Sequence, residues 1–168
     1  MFSRTSRRRP SFRRRPAPRR GAALTEFAVC LPLFGLFLAA ILEINHASMT
    51  AATMRAAAEK AGRMGVMDGV TTAEVETLAR ETAGAAVPNG NIRVHVKNAA
   101  AFDSGGDPSE IAVDSLPDIE VADARPRQLF VVRVEVTYAD VSLIPPFLLK
   151  GPDGGPKVIY GQAVNRHE

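Results

Sequence analysis

The chain has no tryptophan, one cysteine and few aromatic residues, 6% of its 168 positions. A single cysteine excludes an internal disulfide framework. Cys30 falls inside an apolar run and reads as a small side chain facing lipid or another helix. With so few aromatics, any folded core has to be built from Val, Ile, Leu and Ala. Negative charge is missing from the first twenty residues: all eighteen acids lie beyond Gly21, while nine arginines crowd positions 1–20. The formal charge of +3 therefore conceals an asymmetry, because residues 21–168 hold twelve bases against eighteen acids, a charge of −6. Such an end-to-end difference marks a tail that meets nucleic acid or a membrane surface. No nucleic-acid-reading domain follows and an apolar stretch does, so the expected partner is a membrane and not nucleic acid.

Residues 1–21 contain Arg, Pro and Ser with almost nothing to bury, and predict a basic disordered leader. Pro10, Pro16 and Pro18 also forbid a continuous helix there.

Grouped catalytic chemistry is scarce too. His46, His95 and His167 fall on a helix, a strand and the terminus, with no ligand spacing among them. No serine sits in a nucleophile-elbow context. GPDGGP, residues 151–156, lacks the lysine and helix of a phosphate loop and reads as a turn. Asp103, Asp107 and Glu110 lack the regular spacing of a calcium loop, so a solvated acidic loop is the better reading. No catalytic residue, metal site, cofactor or small-molecule substrate is expected, and the chain reads as a non-enzyme.

What is present is a long greasy helix. Between Phe27 and Leu42 there is no charge, with Glu26 just before that run and Glu43 just after it. About 20 apolar residues cross roughly 30 Å of hydrocarbon, and residues 22–46 supply a span if Glu26 and Glu43 lie near its two faces or find partners. Positive flanks stay on the cytoplasmic side, which sends residues 47–168 across the membrane. Pro32 removes a backbone donor inside the helix, a break that neighbouring helices can cover.

Good helix formers continue the helix through residues 47–69, giving a rod of about 65 Å from Ala22 to Gly65. Ala57, Ala61 and Gly65 form a small-residue ridge at four-residue spacing. It suits close approach by another helix or packing on the downstream domain. Residues 70–168 then read as a small α+β domain. Thr71 and Glu74 have capping-box spacing, and the helix they start is stopped by Pro88, Asn89 and Gly90. IRVHVK (92–97) alternates as a half-buried strand, LFVVRVEVTY (129–138) alternates as the strongest strand, and KVIYGQAVNR (157–166) gives a last one. A helix packed on a three- to four-stranded, largely antiparallel sheet is the expected architecture. The stretch 98–128, with seven acids, reads as an irregular acidic insertion with room for one short strand. Leu143–Leu149 reads as an apolar knuckle.

Arg20-Gly21 followed by AALTEF resembles a type IV prepilin processing site. That resemblance implies a cut between Gly21 and Ala22 by a membrane prepilin peptidase, with Glu26 as the fifth residue beyond it and Phe27 in the aromatic position. The longer stretch RRGAALTEFAVCLPLFGLFLAAILEI, with the Ala-rich AAAEKAGRMGV after it, resembles the opening of TadE-like proteins. The likeness covers residues 19–66. It implies a pseudopilin or small membrane protein of the tight-adherence, Flp-type pilus system, in the bacterial inner membrane. Other pilin or pseudopilin subunits and the assembly machinery are the implied partners. A new α-amino group on Ala22 would carry positive charge near neutral pH and pair with Glu26 of a neighbour. The alternatives are an uncleaved single-pass protein that scaffolds envelope components, and a binding domain or enzyme merely tethered by its helix.

Overall fold

The computed structural model describes residues 20–87, 91–104, 112–143 and 157–168. The expectations for the leader before Arg20, the Pro88–Gly90 turn, Asp107, Glu110, residues 144–149 of the knuckle and the 151–156 turn lie outside these. The chain divides into two units, residues 1–39 and 40–168. The first unit carries the start of α1 (Arg20–Met64), and its apolar side chains from Leu24 to Leu38 are exposed. One helix among the described residues is long and apolar enough to cross a membrane, Ala23–Met64, and none of its most apolar window is buried. A single-pass membrane protein is compatible with this.

The second unit contains the rest of α1, then α2 (Thr72–Gly84), β1 (Arg93–Asn98), β2 (Leu129–Thr137), a four-residue turn of helix α3 (Tyr138–Val141) and β3 (Val158–Arg166). The sheet is antiparallel in the order β1-β2-β3, so the most strongly alternating strand takes the centre. Val94 faces Val134, and Val134 in turn faces Gly161. The expected α+β architecture is the observed one, with three strands among the described residues.

One face of the sheet makes the core. Phe130, Val132, Val134 and Val136 are fully buried, with Val94, Val96 and Ile159 beside them. Against them lie Met54, Ala57, Ala58 and Ala61 of α1 and Val75, Ala79 and Ala83 of α2, all at 0% exposure. Each fully buried Val or Phe contributes about 1.5–3 kcal/mol. The α1 residues recur at i, i+3, i+4 and i+7 and those of α2 at i, i+4 and i+8, each one helical face. Their small size sets how near the sheet lies. A Cβ on Gly65 would stand 3.1 Å from both Phe130 and Val75. A Cβ on Gly161 would collide with the backbone of Met54 and Arg55.

Two expectations need correction. The half-buried reading of β2 leaves the face of Arg133, Glu135 and Thr137 open, yet Glu135 is 7% exposed and Val131, on the same face, is fully buried. The reason is the acidic insertion, which is more than a solvated loop. Among the described residues it forms three short 3₁₀ segments and folds back on the sheet, so that Val113, Leu116 and Ala99 close over Val131. Asn98 N–H donates to the Pro117 carbonyl at 2.9 Å, and Lys97 bridges to Asp118. That bridge is all that appears, among the described residues, of the short strand expected there. Strand ends also move slightly: Tyr138 leaves β2 and opens α3.

Candidate assembly site

The N-terminal turns of α1 hold the residues singled out in the sequence. Gly21 and Ala22 lie in its first turn, and Thr25 donates through Oγ1 to the Gly21 carbonyl at 3.3 Å. Glu26 and Phe27 follow in the second turn, both exposed. Glu26 makes no ion pair or hydrogen bond among the described residues. Its neighbours Leu24, Phe27 and Val29 present apolar surface, so the carboxylate stands in a band suited to hydrocarbon. A charge at the centre of such a helix costs roughly 2.5–3.5 kcal/mol on insertion scales. Helix-dipole stabilisation fades beyond the first turn, and α1 has no acid in its first turn. Pro32 is accommodated inside α1, also exposed.

Ala57, Ala61 and Gly65 are all buried within the second unit. Of the two roles open to this ridge, the structure displays packing against the chain's own sheet and α2. Sequence spacing foresaw a close approach but left the partner undecided.

Glu43 answers the question that the sequence left about its charge. Its Oε1 accepts from the Tyr138 hydroxyl at 2.5 Å and its Oε2 from the Leu143 N–H at 3.0 Å. The bond to Glu43, with burial and the nearby negative charge adding to it, pushes the Tyr138 hydroxyl up to about 12. Nothing in the local sequence announces this pairing, because its members are 95 and 100 positions apart.

The N-terminus of α2 is held by two carboxylates. Thr71 and Glu74 form the expected capping box, with the Thr71 N–H donating to Glu74 at 2.9 Å. Glu120, from the insertion, accepts from the Thr72 N–H at 2.8 Å. The Thr72 hydroxyl donates to the Ile119 carbonyl and accepts from Val121 N–H. These donors hold both carboxyls below their usual range, through the Thr71 backbone and hydroxyl for Glu74 and chiefly the Thr72 backbone for Glu120.

On the outer sheet face, Glu135 lies among Arg93 at 3.0 Å, Arg133 at 3.3 Å and His95 at 3.6 Å. Arg133 also stacks on Tyr160, 4.2 Å from the ring centre. The pattern of alternate charged residues was legible, but the burial of the acid was not. Cys30 is exposed on α1. Among the described residues no cluster of three His, Cys, Asp or Glu side chains has the arrangement to hold a metal ion. Asp103, one of the acids weighed for calcium, is taken up by Arg166 at 2.9 Å.

Residues 21–63 match the family model described as TadE-like protein. No curated protein and no solved structure matches the chain.

Proposed function

We propose that the chain is a membrane-embedded component of a tight-adherence, Flp-type pilus system, a minor pseudopilin that acts by helix packing between subunits. The observation that carries this reading is the match over residues 21–63. It takes in the unpartnered Glu26 at one end and the buried Ala57 and Ala61 at the other. In this reading a peptidase cuts between Gly21 and Ala22. The new amine of one subunit pairs with Glu26 of the next, which relieves the cost of a carboxylate in an apolar band and sets the stagger of packed helices. The arginine leader stays in the cytoplasm and residues 47–168 cross the inner membrane. Partners are other pilin or pseudopilin subunits, the assembly machinery and the prepilin peptidase. The work assigned to the chain is assembly rather than catalysis.

A second reading, the permanent single-pass anchor, is favoured by one observation: Arg20, Gly21 and Ala22 are already wound into α1. A peptidase has to unwind that turn to reach the bond. Intact-mass analysis of the membrane-extracted protein, with and without a co-expressed prepilin peptidase, separates the two. A peptidase-dependent species beginning at Ala22 is expected. Retention of the leader under both conditions replaces the pseudopilin by the anchor.

A further inference from the structure

The turn that leads into β2 is built against its own conformational preference. Arg125, Pro126, Arg127 and Gln128 form a reversal closed by Gln128 N–H donating to the Arg125 carbonyl at 2.9 Å. Proline at the second position and a φ of 68° at Arg127 are the marks of a type II turn, whose third position suits glycine or asparagine. Arginine has none of glycine's freedom in the left-handed region. Among the described residues it is the one non-glycine with positive φ. The backbone around it is over-determined. Arg125 N–H donates to Gln128 Oε1 at 2.9 Å, Arg127 N–H to the His167 carbonyl at 2.9 Å, and His167 N–H to the Gln128 carbonyl at 3.0 Å. Glycine would make the same turn with less strain, so what arginine adds here is its side chain.

That side chain has company. Arg125, Pro126, Arg127 and Gln128 line a hollow of about 540 Å³ together with Asn98 and Ala100. Among the described residues its lining includes two arginines and no acidic residue. Neither guanidinium forms an ion pair or hydrogen bond among the described residues. Asn98 uses its Oδ1 to accept from Ala100 N–H at 2.9 Å, which leaves its amide hydrogens as donors. Behind the turn His167 is 5% exposed, and its Nε2 has no partner among the described residues. Elsewhere in this unit the arginines near acids are engaged, Arg166 with Asp103 and Arg93 with Glu135.

We propose that this hollow is an oxyanion site that takes a phosphate group through Arg125 and Arg127, with the Asn98 amide as a further donor. The planar guanidinium fork matches phosphate oxygens in pairs, and a strained backbone position is a recurring companion of ligand clamps.

The test uses the purified full chain in uncharged maltoside micelles, with inorganic phosphate as the probe and chloride holding ionic strength constant. Saturable shifts of the Arg125 and Arg127 Nε–H resonances are expected. Arg127→Gly suits the positive φ, so it should melt no lower than the parent while binding phosphate about tenfold more weakly. Arg125→Gln, which leaves the turn untouched, should weaken binding in the same direction. Competition by a short-chain phosphatidylglycerol, kept below micelle-forming concentration, would identify a lipid headgroup as the source; absence of competition identifies free phosphate ligands, and either supports the site. No saturable shift in the parent, or equal binding by parent and both variants, means an adventitious ion only and overturns the proposal.

Discussion

The Tyr138 hydroxyl and the Glu43 carboxylate meet at 2.5 Å, and the other oxygen of Glu43 holds the Leu143 N–H at 3.0 Å. One acid at the end of the apolar run thus fastens the segment that follows β2. Tyr138→Phe removes the hydroxyl and leaves Glu43 one partner short. It should destabilise the fold by about 1–2 kcal/mol, read by thermal melting of the detergent-solubilised chain. Wild-type stability in this variant would show that the bond contributes nothing net. The same pair gives an alkaline signature. Because the Tyr138 hydroxyl is pushed up to about 12 from 10.0, the folded state holds its proton where the unfolded chain loses it. The contribution is complete below about pH 10 and disappears as pH rises towards 12. Absorbance of tyrosinate should show one of the two tyrosines ionising late, and Glu43→Gln should bring it back towards the ordinary range.

Gly161 is expected to tolerate no side chain. A methyl group there meets the α1 backbone at Met54 and Arg55, which cannot rotate away as a side chain can. Gly161→Ala should cost about 1–3 kcal/mol by overpacking. Gly84→Ala, where a Cβ meets nothing within 4 Å, is the control. It should be neutral or stabilising by up to about 1 kcal/mol. Equal melting temperatures for the two variants would refute the close helix–sheet approach.

The acid side of the stability profile should be governed in part by the start of α2. Glu74 and Glu120 are both held below 4.5 by donors at Thr71 and Thr72. Depressed carboxyls stabilise the fold at pH above their unfolded value, and that contribution fades as pH falls through the folded value. Protonation should therefore loosen α2 below about pH 4.5. Hydrogen exchange of the Thr72 and Glu74 amides is the measurement. In Glu120→Gln the Thr72 amide should exchange faster even at neutral pH, and a pattern identical to the parent would remove Glu120 from the cap.

Glu26→Ala should leave membrane insertion intact, since it deletes a charge from an apolar surface. It should sharply reduce pilus assembly if the acid pairs with a neighbouring amine. Pilus counts by electron microscopy, alongside membrane fractionation, separate the two effects. Normal pili from the variant would end the pairing role.

Local pattern was enough for much of this protein. The apolar run, the capping box at Thr71 and the strand at β2 each depend on neighbours within a few positions, and all three stand in the structure. Charge asymmetry and the stretch around Gly21, Glu26 and Phe27 pointed to a membrane and to the matched family from residue order alone. The rest needed the folded chain, because it joins residues that the sequence separates widely. Strand order, the closure of Val113 and Leu116 over Val131, and the docking of Glu120 on Thr72 depend on how the insertion returns to the sheet. The partner of the Ala57–Ala61 ridge became known only once β3 placed a glycine against α1. Glu43 read as a charge at the end of an apolar helix; only tertiary structure, by bringing Tyr138 and Leu143 to it, made it a hydrogen-bonded anchor.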